Sequence, residues 1–333
     1  MDGGELRTRA FITPSGSSVA WRVGGDIMRS AMDSRRWLTT ASLAGALVLA
    51  GCSGPLGQLI AGSPTPSPTL APPTATPPPL AAQVNGESID LAGFEEEVAR
   101  FEAAQGDLGT NLATLEDYRG QVLQALIDRR LLAQGARATG LTVDQAAVSG
   151  KVDQLAAGLG SNEAMGAWLA ENGYSLESFM ASLAEEMEAE RMVAQIAAGV
   201  PASADQVHGR HILVASREDA EGLLQELAAG ADFAALAQAA SLDLSTRPVG
   251  GDLGWFPRGY LTVPEVEEAA FSLQPGEVSG IVESGLGFHI VQTIEHTEHP
   301  LSPDALQRMQ QLAVQSWLTS QRQTATIEIL VSP

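Results

Sequence analysis

Apolar positions at helical spacing dominate two stretches of this chain, and a strand-rich stretch separates them. Leu91, Phe94, Val98 and Phe101 recur every three or four residues, as do Leu115, Val122 and Leu126 with Leu123, Ile127 and Leu131. That spacing predicts amphipathic helices, each burying one stripe. Thr142 with Gln145 forms a capping box for a helix carrying Val148, Val152 and Leu155. Ser175 caps a further helix with Leu176, Phe179, Leu183, Met187 and Ile196 on one side, and Pro201 stops it. The second stretch, Ser302 to Gln323, places Leu306, Met309, Leu312, Ala313, Trp317 and Leu318 along a helix that runs into an apolar strand, Thr326 to Val331. Neither of these last two pieces can bury its apolar face alone, so the tail is expected to return to the first helical region. Ahead of the helices, Gln83 to Ile89 reads as strand, turn and strand, with Asn85-Gly86 as the hairpin signal.

The N-terminal pattern is of another kind. Arg35-Arg36 precedes an apolar run, Leu38 to Ala50, which has the layout of a secretory signal peptide and is too short for a permanent membrane span. Its end, Leu49-Ala50-Gly51-Cys52, resembles the lipobox of bacterial lipoproteins, which implies lipidation of Cys52, the only cysteine. The rival is ordinary cleavage near Gly51, leaving a free thiol. Translation from Met28 or Met32 stays open, and Arg35-Arg36 is common enough in ordinary leaders that a twin-arginine signal is discounted. Residues 53 to 82 are rich in Pro, Thr, Ser and Ala, and from Ser63 to Pro79 a polyproline rise spans roughly 50 Å, the reach of a stalk.

Charge narrows the partners. The chain carries 19 basic and 40 acidic residues, net −21, and residues 1–51 hold six of the arginines, so the remainder is more acidic still. That balance argues against nucleic acid as a partner. An anionic membrane surface would repel the folded part, consistent with a lipid tether from which that part stands clear. With no cysteine beyond Cys52, no disulfide supports the fold. The methionines after residue 51, Met165, Met180, Met187, Met192 and Met309, all fall in the helical stretches; core packing explains them more simply than a surface for unfolded sequences.

The intervening stretch carries the chemistry. Four blocks stand in order: Val207-His208-Gly209-Arg210-His211-Ile212-Leu213-Val214, Gly250-Gly251-Asp252-Leu253-Gly254-Trp255-Phe256, Glu268-Ala269-Ala270-Phe271-Ser272-Leu273 and Gly287-Phe288-His289-Ile290-Val291. Together they resemble the parvulin family of peptidyl-prolyl isomerases from about Val207 to Glu295. The helical region, opening on Val84-Asn85-Gly86-Glu87, is similar by pattern and order to the N-terminal domain of exported foldases of the SurA and PrsA type. The resemblance implies an α+β fold: a mainly helical chaperone domain, made of the N-terminal segment plus the C-terminal helix and strand, with an inserted parvulin domain of a small antiparallel sheet flanked by helices. The expected layout is a signal peptide with lipobox over 1–51, a linker over 52–82, the chaperone domain over 83–202, the isomerase over 203–299, and a helix and strand over 300–333 that pack on the chaperone domain.

By the same resemblance His211 and His289 are the paired histidines of the site, and Asp243, seven residues before Gly250, is the acid beside the prolyl bond. Leu253, Leu261, Val263, Val266 and Phe288 are expected to line the proline slot. The sequence departs from the family at Leu261-Thr262-Val263-Pro264-Glu265-Val266, with an apparent extra residue and Val266 in place of the pocket phenylalanine, which predicts weak to moderate turnover. No basic cluster follows Val214, which argues against phosphate selectivity. Rotation about a prolyl bond requires no metal or cofactor.

Competing constellations are weaker. Ser245, His289 and Asp243 lack a nucleophile elbow, and His296, Glu298 and His299 read as solvated loop residues rather than metal ligands. Glu185 to Glu190 reads as the wet face of a helix. The expectation is an extracytoplasmic, lipid-anchored isomerase and chaperone acting on unfolded exported polypeptides with X-Pro bonds. The alternatives are a holdase whose parvulin domain only binds, and a structural envelope lipoprotein.

Overall fold

A computed structural model describes residues 78–331. The leader, Cys52 and nearly all of the proline-rich tract lie outside the described residues. The first strand, β1 (Leu80–Val84), turns through Asn85 and Gly86 into β2 (Glu87–Asp90). Asn85 at φ 52° and Gly86 at φ 83° supply the two positive angles of a tight hairpin turn. Because β1 starts at Leu80 and Leu91 N–H donates to the Pro79 carbonyl, folded structure begins slightly ahead of the expected boundary at residue 83.

Helices follow: α1 (Leu91–Asp107), α2 (Tyr118–Ala138), α3 (Gln145–Leu159), α4 (Asn162–Glu171) and α5 (Leu176–Ala198). Leu115 precedes α2 instead of joining it, because Asp117 takes a left-handed backbone angle, φ 47°, and its carboxylate accepts from Gly120 N–H. Thr142 also falls short of its expected capping position, since α3 starts at Gln145. Helix α4, absent from the periodicity reading, is short and rich in alanine; Ser161 caps it through Ala164 N–H. Ser175 caps α5 through Ser178 N–H.

The stretch after Pro201 forms a four-stranded antiparallel sheet in the order β4-β3-β6-β5, from β3 (Ser203–Val214), β4 (Asp252–Pro257), β5 (Val282–Ser284) and β6 (Gly287–Pro300). Helices α6 (Arg217–Ala228) and α7 (Phe233–Ala240) cover one face, and α8 (Pro264–Ser272) covers the other. The two-residue period of strands splits the core accordingly. Ile212, Val214 and Ile290 join Leu223, Phe233 and Ala237 on one face; Val207, Phe256 and Val291 join Val266, Ala270 and Phe271 on the other.

The tail forms α9 (Pro303–Thr324), capped by Ser302 through Ala305 N–H, and β7 (Ile327–Ile329). Strand β7 completes a second sheet, β2-β1-β7, where Val84 pairs with Ile327. The parvulin-like sheet is therefore inserted between the first strands and the strand that completes their sheet.

By compactness the chain divides into two units. One runs to Ile127, with Gln145–Ala181 and the residues from Thr326 on; the other takes Asp128–Asp144 and Ser182–Ala325. In the first, Phe101 stacks on Tyr118, and Trp168, Tyr174 and Phe179 form an aromatic cluster. In the second, Arg130, Arg129 and Arg137 on α2 pair with Glu185, Glu186 and Glu188 on α5. The acidic run of α5 is thus a ladder of helix-helix ion pairs, and Glu188 is buried. The same unit holds α9 against α2, where Arg322 pairs with Asp128 and Trp317 lies over Gly135.

Candidate active site

Strand register brings the two histidines together. His211 pairs with Val291 and Leu213 with His289 in the β3–β6 ladder, so both imidazoles point to the α8 face. Their rings lie 20° from parallel, with Nδ1 atoms 3.3 Å apart. Both are buried.

The Gly250-Gly251 turn sets the depth of this arrangement. Gly251 takes φ +82°, and a Cβ there would lie 2.1 Å from the His211 carbonyl oxygen; Gly250 approaches Ala234 almost as closely. Only glycine permits both the angle and the approach. The closeness lets His211 N–H donate to the Gly251 carbonyl at 2.9 Å, fixing the backbone that carries the imidazole.

Asp243 sits on the segment after α7, anchored by Leu242 N–H to Leu213 carbonyl at 2.7 Å. Its Oδ2 meets His211 Nε2 at 2.8 Å and accepts from the Thr246 hydroxyl at 2.5 Å; Oδ1 accepts from the Ser245 hydroxyl at 2.6 Å and Ser245 N–H at 3.0 Å. Burial alone would raise this carboxyl. The hydrogen bonds from Ser245, Thr246 and His211 outweigh it and hold the acid below the usual carboxylate range.

An ionised carboxylate only accepts, so the Asp243 end of the network is fixed. His211 Nε2–H donates to Asp243, and one proton bridges the facing Nδ1 atoms of His211 and His289. His289 Nε2 meets the Ser284 hydroxyl at 2.7 Å, and Ser284 Oγ accepts from Leu286 N–H at 3.1 Å. Burial, reinforced by positive charge on His211, pushes His289 down to about 4, against smaller opposing effects of Glu265 and Asp243. His289 is therefore neutral near pH 7.

Above the relay lies a cavity of about 260 Å³ lined by His211, Asp243, Leu253, Leu261, Val263, Val266 and His289, with Leu213, Ser245, Thr246, Thr262 and Leu286. The sequence-expected residues therefore converge, with one correction. Phe288 packs on the opposite face, against the cluster of Ile212, Val214 and Ile290, with the Arg217 guanidinium 5.3 Å above its ring. A strand neighbour of His289 cannot share its face.

Ser245, Thr246 and Ser284 were not foreseen as site members. The signal for the first two was local: an aspartate followed by Ser-Thr forms an Asx turn, here closed by Ser245 N–H on Asp243 Oδ1. A hydrolase triad is not assembled, because Asp243 stands between Ser245 and His211. His296 and His299 lie on β6, not in a loop; His296 meets Asp205, and His299 stacks on Trp255 at 4.3 Å. Among the described residues no group of three or more His, Cys, Asp and Glu side chains is placed to hold a metal ion.

Comparison with known proteins places these features in a family. Residues 210–295 match the model of the PPIC-type PPIase domain, and residues 38–193 that of the SurA-like N-terminal domain. The chain is 30% identical over 246 residues to the foldase protein PrsA of Caldanaerobacter subterraneus, covering 66% of this chain and 75% of that protein. It is 38% identical over 142 residues to the chaperone SurA of Nitrosospira multiformis, covering 37% of this chain and 32% of that one. A crystal structure of the PrsA peptidylprolyl isomerase from Bacillus anthracis aligns with 61% of this chain and 96% of its own at 23% identity, with a TM-score of 0.41.

Proposed function

Since the chain belongs to the parvulin foldases of the PrsA type, peptidyl-prolyl isomerases with a SurA-like N-terminal domain, we propose that it serves outside the cytoplasm, tethered to a membrane through a lipid on Cys52. There its helical part holds unfolded exported chains and its isomerase site turns over their X-Pro bonds. The tether rests on the apolar run ending in Leu49-Ala50-Gly51-Cys52 and on the single cysteine.

One observation carries the catalytic reading: the hydrogen-bonded line Ser284–His289–His211–Asp243 ends at an apolar cavity. Amide resonance sets a barrier of ~20 kcal/mol to prolyl rotation, and the planar amide carries partial negative charge on its oxygen. Leu253, Leu261, Val263 and Val266 offer a slot for the proline ring. An ionised Asp243 beside the substrate carbonyl disfavours the charge-separated planar form and leaves the twisted amide, whose oxygen is less charged, relatively untouched. The histidine pair orients the carboxylate through the His211 Nε2 contact at 2.8 Å.

A second reading, a holdase with a nearly idle isomerase site, draws on Val266, a slot residue with no ring to stack on proline. Cis-to-trans relaxation of a short Ala-Pro peptide by the whole chain separates the two. Acceleration above the spontaneous rate supports the isomerase; relaxation at the spontaneous rate, with unfolded protein still protected from aggregation, leaves the holdase.

A further inference from the structure

The side of the slot that carries Leu261 is loop, running from the end of β4 to the start of α8, and it is gripped from two directions. From below, the Glu267 carboxylate on α8 accepts from Gly259 N–H at 2.6 Å, Tyr260 N–H at 3.0 Å and Leu261 N–H at 3.0 Å. Glu267 is 9% exposed, so those three donors satisfy a carboxylate set into the interior. From above comes α9. Arg308 Nε donates to the Gly259 carbonyl at 3.2 Å, and Leu312 lies so close that a Cβ on Gly259 would stand 2.7 Å from its Cδ1. Gly259 has φ +82°, which frees it to pass between the two.

Both ends of the Gly259 residue are thereby engaged, its N–H by Glu267 and its carbonyl by Arg308. We propose that Glu267 and the α9 residues Arg308 and Leu312 are positioning residues for the proline slot, clamping the 259–261 backbone so that Leu261 faces the ring. The inference rests on the cavity's being the proline site. It makes α9 part of the isomerase apparatus, although the tail lies outside the four sequence blocks that mark the family.

The kinetic signature follows from what the slot touches. A wall packed on the proline ring makes the same contact in planar and twisted states, so loosening it weakens binding without altering the bond rotation. The Asp243 relay acts on the twisting amide itself. Clamp variants therefore raise KM, and relay variants lower kcat.

The test measures KM and kcat separately by exchange NMR on a prolyl tetrapeptide with the whole chain. Arg308→Ala with Leu312→Ala is expected to raise KM about fivefold with kcat within about twofold of wild type and the acid limb of the pH profile unmoved. Glu267→Gln, which keeps one acceptor oxygen, should give a smaller rise in KM, and Leu312→Met in place of Leu312→Ala should restore most of it. Because Glu267 is buried and its variant risks misfolding, Arg308→Ala alone, on an exposed helix position, provides a check on folded protein. Unchanged KM in folded Arg308→Ala, Leu312→Ala protein overturns the clamp, as does a fall in kcat with KM unmoved. A wild-type chain that accelerates nothing removes the isomerase reading and the clamp with it; an active wild type with indifferent variants removes the clamp alone.

Discussion

Asp243 accepts four hydrogen bonds from Ser245, Thr246 and His211, and that crowd of donors makes the negative charge the organising element of the relay. Asp243→Asn should lower kcat about tenfold or more, since an amide cannot hold His211 Nε2–H with the same charge-assisted bond. Peptide relaxation rates, with circular dichroism to confirm folding, check this; an unimpaired variant would move the site elsewhere. His289 gives a second prediction through pH. Its folded pKa, about 4, lies below the ordinary imidazole value of 6.5, so between those values the unfolded chain binds a proton the folded one refuses. Stability therefore falls as pH drops from 6.5 to 4, by about 3 kcal/mol from this residue. Asp243, depressed as a carboxylate, adds loss only at still lower pH. Urea unfolding across that range should show the slope in wild type and a shallower one in His289→Leu; parallel slopes would contradict it. Gly251→Ala, which must satisfy φ +82° with a methyl 2.1 Å from a carbonyl oxygen, should cost about 3 kcal/mol or more and displace His211.

At the scale of elements, period and punctuation were readable and tertiary insertion was not. The stripes on α1 and α9, that on α5 apart from the exposed Leu176, and the Asn85-Gly86 hairpin follow from spacing, whereas the pairing of His211 with His289 on one sheet face came from the family resemblance. Phe288 was misjudged because a family resemblance names residues near a site without their faces, whereas the two-residue period, applied to its neighbour His289, already excluded it. The α2–α5 ion ladder escaped because a run of glutamates looks solvated until the helix bearing Arg129, Arg130 and Arg137 is laid beside it. No sequence rule pointed Glu267 at three backbone donors. The α2–α9 contact offers its own test. Trp317 leaves no room for a methyl on Gly135, where an added Cβ would sit 2.6 Å from Cζ2. Gly135→Ala should destabilise the chain by about 1–3 kcal/mol despite the better helix propensity of alanine. In a Trp317→Leu background the same change should be neutral or stabilising, and equal cost in both backgrounds, read from thermal or urea melts, would show that the two residues do not meet.

For the molecule as a whole, charge and the single cysteine constrain the proposed tether. A chain with net charge −21 gains nothing electrostatic from an anionic lipid surface, and no helix among the described residues is long and apolar enough to cross a membrane. In the proposal a lipid on Cys52 holds the protein to the membrane, with an uncleaved leader as the alternative. One acyl chain gives only marginal binding, whereas the paired chains of a lipidated cysteine hold firmly, each buried methylene adding about 0.8 kcal/mol. Cys52→Ser separates these routes in a cell that exports the protein. If the lipid is the tether, wild type fractionates with membranes even in high salt, and the variant either appears in the soluble fraction or accumulates unprocessed. Mass spectrometry of the wild-type N-terminus should then find an acylated cysteine at residue 52 as the first residue. An unmodified N-terminus elsewhere, or a Cys52→Ser protein that is processed and still membrane-bound, would sink the lipid anchor while leaving the isomerase site as described.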